Sequence, residues 1–174
     1  MKISNLVVGY LEENCYFLEI NNKVLIIDPG DEYLKIKDKL NNKELIGILI
    51  THHHNDHIGA LNSLINDFNV PVYSNNNLEE KTYDIADFKF EVIKTYGHTT
   101  DSLTYYFKEE NVMFTGDFIF KETIGRTDLP TGNFDEMEKS IEKIKQFNDN
   151  IILYPGHGDD TTLDYEKKYN YYFI

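Results

Sequence analysis

The segment Thr51-His52-His53-His54-Asn55-Asp56-His57-Ile58-Gly59 concentrates metal-binding groups in the pattern H-x-H-x-D-H. Alternate residues leaving an extended strand point the same way, so His52 and His54 can reach one ion together. Asp56 and His57, on the turn that follows, are offset enough to hold a second ion. The same alternation leaves His53 facing away, as a non-ligand. Imidazole with carboxylate suits zinc, and also iron or manganese. Three further candidates lie downstream, each just past a strand candidate or apolar run: His98 in Tyr96-Gly97-His98-Thr99, Asp117 in Phe114-Thr115-Gly116-Asp117, and His157 in Tyr154-Pro155-Gly156-His157-Gly158. Five of the six histidines thus sit at strand ends, which a metal-free polar loop does not explain.

The elements that must position these groups can be read from periodicity. Leu45 to Ile50 is nearly all apolar, fits a strand buried on both faces, and ends directly at Thr51-His52. A helix is expected next, with Ile58, Leu61, Leu64, Ile65 and Phe68 on one face. Asn14–Ile20 and Lys23–Asp28 flank Asn21-Asn22 and read as a hairpin closed by Pro29-Gly30. Residues 31–40 have helical spacing. Strands are expected at 70–73, 88–94, 103–107, 111–115 and 151–154, helices at 134–147 and from about Thr162. Strands cluster between helices without strict β-α alternation, which predicts helices packed outside two sheets. The aromatic tail, Tyr169 to Phe173, is expected to dock onto the body of the protein.

The sequence has 174 residues and a hydrophobic fraction of 41%. It shows no linker, repeat or internal boundary, so one domain spanning 1–174 is expected. No apolar run approaches the roughly 20 residues a membrane helix needs. The start lacks the apolar core and small-residue cleavage site of a secretory signal, and Cys15 is the only cysteine; a cytoplasmic location is the expectation. The net charge of −13 argues against nonspecific nucleic-acid binding. It also means that an anionic substrate would need local positive charge, from metals or from a few placed basic residues.

With these motifs in view, the sequence resembles the metallo-β-lactamase superfamily over nearly its whole length. It is most similar to short, single-domain members of the glyoxalase II-like (hydroxyacylglutathione hydrolase-like) branch. Glu13-Asn14-Cys15-Tyr16, Asp28-Pro29-Gly30, Thr51–Gly59, Gly97-His98-Thr99, Gly116-Asp117-Phe118-Ile119-Phe120, Gly125–Gly132 and Pro155–Gly158 carry the resemblance, and Gly116 through Gly132 is its most branch-specific stretch. The resemblance implies an α+β fold, an αββα sandwich of two mixed sheets flanked by helices, with the site at one edge. It implies two divalent metal ions, zinc in the first instance. His52, His54 and His98 would hold one, Asp56, His57 and His157 the other, and Asp117 would bridge them. Asp28 would orient a ligand histidine from behind.

The chain departs from the family at Thr100-Asp101, where Pro-Gly is usual, and at Tyr96, where proline is common; the segment between Tyr73 and Phe88 is short. Glyoxalase II enzymes carry a further helical domain that reads glutathione, so its specificity is not implied here. The expected function is hydrolysis of a small thioester of the S-lactoyl-thiol type, with Asp56 both binding metal and orienting the nucleophile. Arg126, in Gly125-Arg126-Thr127-Asp128, is the candidate anchor for a substrate carboxylate, with Lys121 nearby; the competing reading pairs Arg126 with Asp128. Phe118, Phe120 and Ile124 could line the pocket, with core packing expected for at least one. The alternative function is a mononuclear iron persulfide dioxygenase, a family that resembles this chain in fold and in the Gly-Arg-Thr-Asp loop.

Overall fold

Alternating side chains decide which face of each sheet is buried. The computed structural model describes residues 1–174. In it, β1 (Lys2–Val8), β2 (Glu13–Ile20) and β3 (Lys23–Ile27) pair antiparallel. After α1 (Tyr33–Leu40), β4 (Glu44–Leu49) joins β3 in parallel; after the one-turn α2 (Asn55–Ile58) and α3 (Leu61–Phe68), β5 (Val72–Tyr73) joins β4 in parallel. Tyr16, Leu18, Leu25 and Ile27 face one core, and Cys15, Phe17, Val24 and Ile26 face another on the opposite side. A register shift sets Val24 against Leu45 but Leu25 against Gly47. This bulge reverses the parity of β4, so Leu45 and Ile48 share the outer face with Ile36, Leu40 and Leu64 of α1 and α3.

The second sheet contains β6 (Thr82–Ile85), β7 (Phe88–Lys94), β8 (Leu103–Phe107) and β9 (Val112–Gly116), followed after the small hairpin β10 (Ile119–Phe120) and β11 (Thr123–Ile124) by β12 (Ile152–Pro155) and β13 (Thr161–Thr162). Its spatial order is β13-β12-β9-β8-β7-β6, and only β9 and β12 are parallel. Phe88, Phe90, Leu103, Tyr105, Phe107 and Phe114 turn inward and close a core of 14 buried residues against the first sheet. Met137, Ile141 and Ile144 of α4 (Phe134–Ile144) and Leu163 of α5 (Leu163–Tyr169) cover the outer face. The layers are therefore α-β-β-α, as the resemblance implies. The Tyr105 hydroxyl, fully buried, donates to the Ile50 carbonyl at 2.6 Å and ties the two sheets together beside Thr51.

Several boundaries differ from the sequence expectation. The helix expected over 134–147 stops at Ile144, because Phe147 drops from a closing turn onto Tyr106, ring centroids 5.5 Å apart. The strand expected over 70–73 shortens to Val72–Tyr73. β1, β6, the β10–β11 hairpin and β13 are strands that periodicity does not announce. The aromatic tail docks through Phe173, which is buried, while Tyr171 stays exposed. No helix is long and apolar enough to cross a membrane.

Candidate metal centre

The seven candidate ligands reach one edge of the sandwich from strand ends. β4 runs out at Leu49 and delivers Thr51 to His57; β7 ends at Lys94 and the loop beyond carries His98; β9 ends at Gly116, next to Asp117; β12 ends at Pro155, just before His157. Rigid strands thus hold loops that carry the chemistry. The crossing of two of these loops depends on Gly116, whose φ of +52° suits glycine and whose would-be Cβ falls 2.4 Å from Thr51 Oγ1.

His54 Nδ1 lies 3.0 Å from His52 Nε2 and 3.0 Å from His98 Nε2. Three ring nitrogens therefore face one point, with His52 and His98 almost fully buried. Asp56, His57 and His157 form a second group, with His157 Nε2 3.2 Å from Asp56 Oδ2. Asp117 stands between the groups. Its Oδ1 is 3.2 Å from His57 Nε2 and 3.6 Å from His157 Nε2, and its Oδ2 is 3.6 Å from His98 Nε2.

The outer nitrogens of three rings are anchored on acceptors, which turns the other ring nitrogen toward the centre. His57 Nδ1 donates to Asp28 Oδ2 at 2.9 Å, His98 Nδ1 to the Arg126 carbonyl at 2.8 Å, and His157 Nδ1 to the Leu11 carbonyl at 2.9 Å. Asp28 also accepts from the Thr51 amide at 2.7 Å and the Thr51 hydroxyl at 2.5 Å. Its φ of +51°, unusual outside glycine, is the backbone twist that turns β3 at this point. Asp28 thus lies behind one of the candidate ligand histidines, His57. His53 joins none of the groups; its Nδ1 contacts Asp101 and so links the two loops that carry His52, His54 and His98. The Thr100-Asp101 departure leaves the turn closed, with the Thr99 and Ser102 hydroxyls 2.6 Å apart.

Burial pushes the His52 pKa well down and lowers His54, so both are neutral donors. The His157 contact holds Asp56 at about 2. Burial would raise Asp117, but the His57 contact wins and holds it at about 2. Burial would lower His57, but Asp117 and Asp28 prevail and raise it well above the ordinary value; Asp56 likewise raises His157 against burial. His57 Nε2 and Asp117 Oδ1 are buried and have no well-aligned hydrogen bond; their closest polar contact is with each other, at 3.2 Å. Orphaned buried donors and acceptors are costly and call for a partner. Both are aimed into the cluster, so the donor set fits a metal.

An open cavity of about 410 Å³ lies over the centre, walled by His98, Asp117, Phe120, Gly125, Arg126 and His157. Phe118 is instead fully buried core, and Ile124 packs against that core. Arg126 lines the cavity and also pairs with Asp128, donating from Nε at 2.7 Å and Nη2 at 2.8 Å. Lys121 does not line it; its Nζ is 3.9 Å from Asp159 Oδ2. Sequence reasoning assigned no role to Thr51, to the Leu11 and Arg126 carbonyls, or to Glu13, whose buried carboxyl lies behind His57.

A family model described as the metallo-β-lactamase superfamily matches residues 8–84 and 75–157. The chain belongs to the metallo-β-lactamase superfamily. A probable metallo-hydrolase of Streptococcus pyogenes is 32% identical over 99% of this chain and 90% of its own length. The hydroxyacylglutathione hydrolase GloC of Haemophilus influenzae is 30% identical over 98% of this chain and 97% of its own. Among solved structures, the BLEG-1 B3 metallo-β-lactamase superposes with a TM-score of 0.94 at 29% identity, covering 99% of this chain and 100% of its own. TTHA1623, solved in a di-iron-bound form, gives 0.89 at 27%, covering 97% and 99%. ETHE1 from Myxococcus xanthus gives 0.89 at 25%, covering 100% and 88%. Metallo-β-lactamase superfamily membership, hydrolase relatives and a His/Asp cluster suited to metal therefore coincide in this chain.

Proposed function

We propose that the protein is a binuclear metal-dependent hydrolase, with zinc as the first expectation, that cleaves small thioesters of the S-lactoyl-thiol type. The observation that carries this reading is Asp117, whose Oδ2 lies 3.6 Å from His98 of the His52, His54 and His98 group and whose Oδ1 lies 3.2 Å from His57 of the Asp56, His57 and His157 group, with His52 and His57 both within its reach. A mononuclear iron dioxygenase would need only one group. His52, His54 and His98 would hold one ion, Asp56, His57 and His157 the other, with Asp117 shared. Bound there, such ions supply Lewis acidity that polarises a carbonyl and makes water a competent nucleophile near neutral pH.

The chain's own groups do the rest. Asp56, ionised at about 2, can accept a hydrogen bond from the attacking water and orient it. Apart from candidate ligands, the cavity offers Phe120, Gly125, Arg126 and Gly158. None of these readily protonates a leaving nitrogen, since the Asp128 hydrogen bond raises the Arg126 pKa further still. A leaving thiol has a pKa of about 8.5 and departs as thiolate unaided. Thioesters suit the site and amides do not. Arg126 would anchor a substrate carboxylate; its pair with Asp128 is exposed, so exchanging partners costs little.

A thiol-release assay beside an oxygen electrode tests the reading. Zinc-loaded protein is expected to release thiol from S-lactoyl esters without oxygen uptake, and to cleave them much faster than matched amides or β-lactams. Arg126→Ala should raise KM for anionic thioesters about tenfold and spare neutral ones. Oxygen uptake with glutathione persulfide, and no thioester turnover, would favour the iron dioxygenase instead.

A further inference from the structure

An imidazole that offers one ring nitrogen to a centre is held in place by what its other nitrogen meets. His57, His98 and His157 meet the acceptors described above, and His52 Nδ1 lies 3.1 Å from the Thr51 hydroxyl. His54 is the exception. Its polar ring contacts are made by Nδ1 alone, to His52 and His98. It precedes α2 in an extended conformation, with no side-chain capping hydrogen bond, so its place depends on the backbone that carries it. Outside the donor cluster, two hydrogen bonds tie that backbone to the loop carrying His98. At the root, the Leu103 amide donates to the Thr51 carbonyl at 2.8 Å. At the rim, one residue before His54, His53 Nδ1 donates to the Asp101 carboxylate. The Asp101 loop is itself braced, by the Thr95 amide on the Ser102 carbonyl at 3.1 Å and the Asn133 amide on the Gly97 carbonyl at 2.8 Å.

We infer that the His53–Asp101 hydrogen bond is a latch that holds His54 in the first donor group, with His53 and Asp101 as positioning residues acting through the backbone. The inference rests on the metal-centre reading above. The latch needs an N–H and an acceptor oxygen, and an amide oxygen serves as well as a carboxylate one. Without it the two loops are joined only at their root, and His54 loses the one tie beside it. The effect is confined to one donor group. In the other, His57 is braced by Asp28 and His157 by the Leu11 carbonyl, and neither brace lies on the Asp101 loop. Both latch side chains are half-exposed, so the hydrogen bond adds little to the stability of the fold. Its consequence is geometric: it sets where the His54 ring stands against His52 and His98.

The experiment is chelator competition for zinc, with thermal unfolding of the metal-free protein, on wild type and on latch variants. Asp101→Ala and His53→Ala should each weaken one of the two zinc ions about 10–100-fold and spare the other, with the metal-free melting temperature little changed. Asp101→Asn, which keeps an acceptor oxygen, should recover most of that affinity. On a His54→Ala background, Asp101→Ala should weaken neither ion further, because the ring it positions is gone. Wild-type affinities in Asp101→Ala would overturn the inference, as would an Asn variant no better than the Ala one. A further loss on the His54→Ala background would show that Asp101 acts elsewhere. Loss of both ions together with a lower metal-free melting temperature would mark an ordinary packing role and also overturn it. Failure of the wild type itself to bind two zinc ions would instead overturn the metal-centre reading.

Discussion

At the scale of single residues, what the centre needs is lone pairs aimed inward, and the outward partners that aim them. The candidate ligands were legible in the sequence because H-x-H-x-D-H is dense and the remaining three follow strand candidates or apolar runs. The partners were legible only where the resemblance pointed, as at Asp28. Leu11 presents a backbone carbonyl to a histidine far away in the chain, and no side-chain pattern encodes such a contact. Glu13 stood in a recognised segment, but its burial without partners appears only once β2 is set against the metal loops. Asp28 makes the sharpest residue-level prediction. Asp28→Ala leaves the Thr51 amide, the Thr51 hydroxyl and His57 Nδ1 without their acceptor. Zinc affinity should fall on the order of 10–100-fold, and the metal-free fold should lose at least about 2 kcal/mol, read by chelator competition and urea unfolding. Unchanged affinity would show that His57 needs no partner behind it.

At the scale of elements, period-two patterning found the buried strands and missed those whose burial is partial. Lys2–Val8 forms a sheet edge in which only Val8 is fully buried, so Ser4 and Asn5 dilute its alternation. Thr82–Ile85 is the opposite edge of the other sheet and has no buried residue. The β10–β11 and β13 strands are two residues each, too short for any period to show. The run that leads into the metal motif carries no alternation because both its faces are buried, Leu45 and Ile48 on one side and Leu49 on the other, and it read from the sequence as such a strand. Where β9 gives way to Asp117, glycine is required. Gly116→Ala imposes a left-handed backbone on alanine and a clash with Thr51 Oγ1 at 2.4 Å. It should destabilise the protein by about 2 kcal/mol or more and lower zinc occupancy, measured by denaturant unfolding and elemental analysis. A variant as stable as wild type would contradict this account of the crossing.

At the scale of the whole molecule, a chain of net charge −13 gathers its imidazoles at one edge of two sheets and leaves its cavity-side arginine matched by Asp128. The charge the site would present to a substrate is therefore set by its ions. Their binding is linked to pH with a definite sign. His57 and His157 are raised above their ordinary values in the metal-free chain. The stability they contribute is full below the unfolded histidine pKa and is lost as pH rises through their raised values. Metal must displace those protons, so zinc affinity should weaken as pH falls through that range. Calorimetric titration in buffers of different ionisation enthalpy should show protons released; none released near neutral pH would mean the two rings are already neutral. The central claim is that seven ligands form two sites sharing Asp117. Equilibrium dialysis against zinc, with the bound metal counted, tests it most directly. Wild type should hold close to two zinc ions per chain, and Asp117→Ala should lose occupancy at both sites; a single ion per chain under zinc-replete conditions, or an Asp117→Ala variant that keeps one site at full strength, would contradict it.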